Sequence, residues 1–348
     1  MPLRAALLAL TACLAVALSG CVGDGGGSEG KIALLLPDVK TARYETFDRP
    51  VFEARVAELG DVSVLYSNAD QDAAKQQQQA ESALAAGASV LVLDPVDGKA
   101  AVSIVNAANA QGVPVVAYDR MIAGGELAYY ISFDNEKVGV LQATGLVDAL
   151  KAAGTPDPGI LMVNGSPTDS NAGQFREGAV SVLADSGVRI LAQFDTPDWS
   201  PDKAQDWVEG QIAQYGDRIS GVYAANDGIA SGAVSALKAA DVSPWPIVTG
   251  QDAELTAIQR IVSGDQYMTV YKALKPQAQR AADVAVALLR GEEVTAPLEV
   301  DGTPATLLDP VAVTIGDILD TVVADGFWTV DDICTPAYEA ACAAAGIR

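Results

Sequence analysis

Residues 113–120 read VPVVAYDR, a β-branched apolar run stopped by a carboxylate and a guanidinium side by side. A helical pattern, Lys99–Gln111, comes before it and is closed by Gly112, the residue expected just past a helix end. The same unit recurs along the chain. Ile32–Leu36 stops at Asp38, Val62–Tyr66 at Asn68, Val90–Leu93 at Asp94 and Gly159–Val163 at Asn164. Ile190–Phe194 stops at Asp195, Gly221–Ala225 at Asn226 and Asp227, and Ile247–Gly250 at Asp252. Helical stretches follow most of these runs, and strands alternating with helices of this length predict parallel sheets with right-handed crossovers.

The strands fall into two similar halves, one from Ile32 to about Ile131 and one from Gly159 to about Gln266. Each is an α/β unit large enough to form a doubly wound domain. Met268–Lys272 reads as a β-branched segment crossing between them, and Ala305–Leu308 as a later extended segment. A chain that passes more than once between two lobes makes a hinge, with a ligand cleft between the lobes. The expected division is 31–131 with 272–301 in the first lobe, 132–271 with 302–330 in the second, and a tail over 331–348. In parallel sheets ligands bind beyond the carboxyl ends of the strands. A row of Asp and Asn at that edge is suited to reading hydroxyl groups, which points to a polyol or sugar.

Composition excludes other classes. With 22 Lys and Arg against 45 Asp and Glu, the formal charge of −23 argues against nucleic acid, whose phosphates need clustered cations. His is absent, which removes Ser-His-Asp and Cys-His catalysis and His-based metal sites; the four Cys are too few and too scattered for a thiolate zinc site. Cofactors and metals are not expected. Aromatics make up only 6% of the chain, so each one near a strand end carries information.

The first twenty residues read as a targeting segment. Arg4 precedes an apolar run, Ala5–Leu18, that is short for a bilayer span. Leu18-Ser19-Gly20-Cys21 resembles the bacterial lipoprotein signal, which implies lipidation at Cys21 and, over 21–30, a flexible tether. Cys13 lies inside the leader. Cys334 and Cys342, near the end of an exported chain, are expected to form one short-loop disulfide, with two thiols as the alternative.

The segments Val115–Ile122, Tyr129–Gly139, Gly165–Ala172, Asn226-Asp227, Thr249–Ala253 and Met268–Lys272 occur in one order along the chain. In these it resembles the type I periplasmic sugar-binding proteins, and among them the D-xylose-binding proteins of ABC transporters, from about Lys31 to Trp328. The resemblance implies two Rossmann-like lobes joined by three hinge strands and closing over one monosaccharide. It implies Arg43 and Tyr44 in the first strand–helix loop, one donating and one stacking, with Asp119 and Arg120 from the same lobe. It implies Asp169, Asn171 and Arg176 from the second lobe, Trp199 as the opposing stacking face, Asn226, Asp227 and Asp252 on hydroxyls, and Lys272 on the cleft floor. The chemistry agrees: a pyranose edge suits planar bidentate partners and its C–H faces suit aromatic rings.

Each residue also has a plainer reading. Asp169, Asp227 and Asp252 sit where helix N-caps are expected. Asp119 could pair with Arg120 at the surface, Trp199 could be a packed loop aromatic, and Arg176 an exposed helix residue. Asp38, Asp94 and Asp195 read as supporting groups or caps. Arg49 competes with Arg43 because the 40–50 loop is slightly longer than the family pattern, and Asn164 stands where a Gly is usual. The resemblance implies a monomeric lipoprotein, attached to the membrane through lipid only, that delivers an aldose to an ABC permease. D-xylose is the direct implication and glucose the alternative. A chemotaxis receptor module is a further reading. A sugar-cleaving enzyme is disfavoured because cations in the site would keep both carboxylates ionised.

Overall fold

The computed structural model describes residues 30–348; Cys21, the expected leader and the tether up to residue 29 lie outside the described residues. The chain begins with β1 (Gly30–Leu36), a π-helical turn at Tyr44–Asp48, α1 (Arg49–Leu59), β2 (Val62–Asn68) and α2 (Ala73–Ala85). It continues through β3 (Val90–Leu93), α3 (Val102–Asn109), β4 (Val115–Tyr118) and β5 (Tyr129–Phe133). The second lobe runs through α4 (Asn135–Ala152), β6 (Gly159–Asn164), α5 (Ser170–Leu183), β7 (Arg189–Asp195) and α6 (Pro201–Tyr215). β8 (Ile219–Ala224), α7 (Asp227–Ala239), β9 (Ile247–Thr249), α8 (Leu255–Ser263) and β10 (Met268–Tyr271) complete that pass. The chain then returns for α9 (Leu274–Leu289) and the hairpin β11 (Leu298–Val300) with β12 (Thr303–Leu308). It ends in the second lobe with β13 (Val311–Thr314), α10 (Val330–Ile333) and α11 (Glu339–Ala345).

The first sheet has the order β11-β12-β5-β4-β3-β1-β2 and the second β13-β10-β9-β8-β6-β7. Pairing is parallel except for the β11–β12 hairpin and the β10–β13 pair. The central strands β3, β4, β5 and β6 are buried along their whole length, because helices cover both sheet faces. That is why they appear in the sequence as unbroken apolar runs. Each Val, Leu or Ile so buried contributes about 1.5–3 kcal/mol. One core lies behind each face of the first sheet, and the second lobe has a core of its own built on α4, α5, α7 and β6 to β10.

Three crossings join the lobes, at Asp134, at Lys272-Ala273 and at Asp309-Pro310. The third differs from the sequence reading, which gave residues 302–330 to the second lobe. Residues 303–308 instead extend the first sheet, with Ala305 to Leu308 parallel to Tyr130 to Phe133. Gly30, read as tether, already pairs with Val62. The last eighteen residues do not stand apart: Ile333, Cys342 and Ile347 are buried against Ile258, Ile261 and Val262 of α8. Cys334 and Cys342 are joined by a disulfide.

Candidate functional site

The carboxyl ends of the two sheets face each other across a cavity lined by residues of both lobes. The rims meet through hydrogen bonds between the lobes. Gly98 donates its N–H to the Thr168 carbonyl at 3.1 Å, Thr168 Oγ1 donates to the Val96 carbonyl at 3.2 Å, and the Met121 N–H reaches Ser170 Oγ at 3.0 Å.

From the first lobe, the loop after β1 brings Arg43 and Tyr44 to the cavity, and the end of β4 brings Asp119 and Arg120. Arg43 is buried and makes four hydrogen bonds, two to Asp48 and one each to Asp119 Oδ1 and Gln277 Oε1. One of its five donors is left for a ligand. Arg120 ion-pairs with Asp169 of the opposite lobe at 2.8 Å and lies 3.4 Å from Asp94. It also donates to the Tyr44 hydroxyl and the Pro95 carbonyl.

The second lobe supplies the rest. Asp169 caps α5 by accepting the Asn171 N–H on Oδ1, while Oδ2 receives the Trp199 indole N–H at 3.1 Å. Asn226 caps α7 in the same way through Oδ1, which accepts from the Ile229 N–H at 2.8 Å and leaves its amide hydrogens for the cavity. The cap and the site are therefore compatible readings of one side chain. Asp252 pairs with Lys272 at 2.9 Å, and the Lys272 ammonium also lies 5.6 Å from the Phe133 ring centre and 5.7 Å from that of Phe175. Three cavity residues, Asp119, Trp199 and Asp252, have φ of 60°, 53° and 100°. Such backbone costs on the order of 1–3 kcal/mol per residue and persists where surrounding structure holds it.

Two expected residues are not at the cavity. Arg176 is exposed on α5 and hydrogen-bonds Gln193. The inward position is its neighbour Phe175, four residues after Asn171 and so on the same helix face. Asp227 is fully buried but turned into the second lobe, where it accepts from Thr269, Gln266 and the Glu254 N–H. Of the competing arginines, Arg43 lines the cavity, whereas Arg49 pairs with Glu45 and Glu53 and covers the Tyr66 ring. Asp38 caps the Lys40 and Thr41 N–H groups, Asp94 faces Arg120, and Asp195 accepts from Asn164. Thr41, Phe175 and Gln251 line the cavity without having been singled out from the sequence. Phe175 had a signal, the four-residue spacing from Asn171; Thr41 and Gln251 had none.

Cations and carboxylates balance across the wall: Arg43, Arg120 and Lys272 against Asp119, Asp169 and Asp252. Burial pushes the Asp119 carboxyl up, but Arg43, Lys272, Gln277 and Arg120 outweigh it and hold the group well below the ordinary carboxylate range. Burial raises Asp169 and, more strongly, Asp94, with Arg120 opposing both. Burial also drives the Tyr44 hydroxyl well above its usual range, so it is a neutral donor and acceptor. The wall thus offers fixed donors, fixed acceptors and the aromatic faces of Tyr44, Phe175 and Trp199, with no net charge to attract an ion.

The periplasmic binding protein domain family matches residues 32–293. The chain is 36% identical to the D-xylose-binding periplasmic protein of Haemophilus influenzae, over 96% of this chain and 99% of that protein. It is also 36% identical to the D-xylose-binding periplasmic protein of Escherichia coli, over 91% of this chain and 96% of that one. Both relatives are binding proteins rather than enzymes. A solved ABC transporter solute-binding protein of Clostridium phytofermentans with bound β-D-glucose superposes with a TM-score of 0.80 at 26% identity, covering 87% of this chain and 99% of that one. Two doubly wound lobes, three crossings and a buried cleft between sheet ends are the architecture of that family, and the chain belongs to it: it is a periplasmic binding protein of the two-lobed type I form.

Proposed function

We propose that this protein captures one neutral aldose, D-xylose in the first place, between its lobes and delivers it to an ABC importer. It would act outside the cytoplasm as a lipoprotein held through Cys21. The observation that carries the reading is the charge-balanced cavity wall, with Arg43, Asp119, Asp169, Asn226, Asp252 and Lys272 around aromatic faces. Planar charged groups read the hydroxyls bidentately, and the rings cover the C–H faces. A sugar acid or sugar phosphate would add an uncompensated charge to a wall already neutral. Contact with both lobes favours the closed state, which is the form an importer would recognise.

The 36% identity to two D-xylose-binding proteins supports xylose. The glucose-bound structure supports a second reading, the same role with glucose as ligand. The test is calorimetric titration of refolded, sugar-free protein with xylose, glucose, ribose, arabinose and galactose. Micromolar binding, about −8 kcal/mol, is expected for xylose. Tighter binding of glucose would replace xylose but keep the role, and binding of none would overturn the reading. Asn226→Ala should weaken the best sugar at least tenfold while costing only about 1 kcal/mol of stability for the lost cap.

A further inference from the structure

We propose that Gln277, which does not line the cavity, is a positioning residue that sets which face of Asp119 and Arg43 the sugar meets; this rests on the sugar-binding reading above. Gln277 lies in the first turns of α9 and is fully buried. Its Nε2 donates to Asp119 Oδ1 at 3.0 Å, and its Oε1 accepts from Arg43 Nη2 at 2.7 Å. Arg43 Nη1 closes the ring on the same Asp119 Oδ1 at 2.9 Å. One amide therefore bridges both ends of an ion pair that lines the cavity.

The consequence is an assignment of oxygens. Asp119 Oδ1 already receives two donors, so Oδ2 is the acceptor presented to a hydroxyl, its one partner among the described residues being Asn171 Nδ2 at a long 3.3 Å. On the other side Asp48 takes Nε and Nη2 of Arg43 and also receives the Tyr118 hydroxyl. Asp48 and Gln277 together fix the guanidinium plane and leave an Nη1 hydrogen for the ligand. A carboxamide suits the bridging position because it carries a donor and an acceptor on one planar group; a carboxylate or an alkyl chain cannot do both.

The test is titration with the best-binding aldose of the panel, at pH 5 to 8, for wild type, Gln277→Leu and Gln277→Glu, with thermal unfolding of each sugar-free protein. Gln277→Leu should weaken binding 10- to 100-fold. Gln277→Glu separates positioning from packing. A protonated glutamic acid can donate to Asp119 and accept from Arg43 as the amide does, whereas the carboxylate repels Asp119. Its affinity should therefore approach that of wild type at pH 5 and fall at least tenfold relative to wild type by pH 8. Gln277→Leu within twofold of wild type, or a Gln277→Glu profile parallel to wild type, would overturn the proposal while leaving the sugar site standing. Wild type that binds no aldose would instead overturn the sugar-binding reading and this inference with it.

Discussion

At the scale of single residues, the site depends on side chains with two jobs. Asp169 caps a helix, holds the Trp199 indole and pairs with Arg120, all through two oxygens. Trp199 is in turn seated against Gly165, where a Cβ would fall 2.0 Å from the indole Cη2. Gly165→Ala must therefore displace the ring, and overpacking of this kind costs about 1–3 kcal/mol. We expect a small loss of thermal stability and at least a tenfold loss of sugar affinity by calorimetry. Arg176→Ala, by contrast, should leave affinity within twofold, since that side chain reaches Gln193 at the surface. The carboxylates at strand ends were legible in the sequence because a polar residue that stops an apolar run faces the sheet edge. Which of two adjacent polar residues faces inward was not. Asn226 and Asp227 sit one residue apart at a helix start, where successive side chains diverge by about 100°. Gln277 left no local trace at all, because its meaning lies in Asp119, 158 residues earlier.

At the scale of elements, α5 carries Asn171 and Phe175 to the cavity, and its position is set by a glycine contact with α4. A Cβ on Gly178 would lie 2.0 Å from the Glu136 carbonyl oxygen, and one on Gly139 would lie 2.0 Å from that of Phe175. The helices thus touch backbone to backbone, and neither atom met is the end of a flexible chain. Gly178→Ala should push α5 outward, lowering the melting temperature by on the order of 5 °C and weakening the sugar with it. Gly173, on the same helix, meets nothing within 4 Å. Gly173→Ala should instead stabilise by about 0.4–1 kcal/mol through the entropy of the unfolded chain. Scanning calorimetry of the two variants distinguishes a contact from a mere helix propensity. Alternation of strands and helices made nearly every element readable in advance. The third crossing was not, because a short extended run such as Ala305–Leu308 carries no mark of which sheet edge it will join.

At the scale of the whole molecule, the absence of His makes the pH dependence of stability unusually open to interpretation. Between pH 6 and 9 an ordinary carboxylate, titrating near 4, is already ionised, and Lys and Tyr titrate higher. The groups left in that window are carboxylates displaced by the fold. Burial pushes Asp227 up to about 7 against the pull of Arg260, and burial with the neighbouring Asp227 and Asp252 charges takes Glu254 to about 8. Glu254 is half-buried, and its own N–H donates to Asp227 Oδ2 at 3.0 Å, which holds the two residues side by side. A carboxyl whose pKa is raised on folding binds its proton more tightly in the native state. Its contribution to stability is complete below the unfolded value and is lost as pH rises through the folded one. Asp119, held low, acts in the opposite sense and is lost only in strong acid. The melting temperature should therefore decline from about pH 4, where an unfolded carboxylate ionises, to about pH 8, and level off above it. Glu254→Gln, which keeps the size of the side chain without the titrating charge, should flatten the alkaline part of that decline. Unfolding scans from pH 5 to pH 9 on both proteins decide the matter: a wild-type profile that is flat or rises across this window would mean that the Asp227–Glu254 pair is ionised throughout.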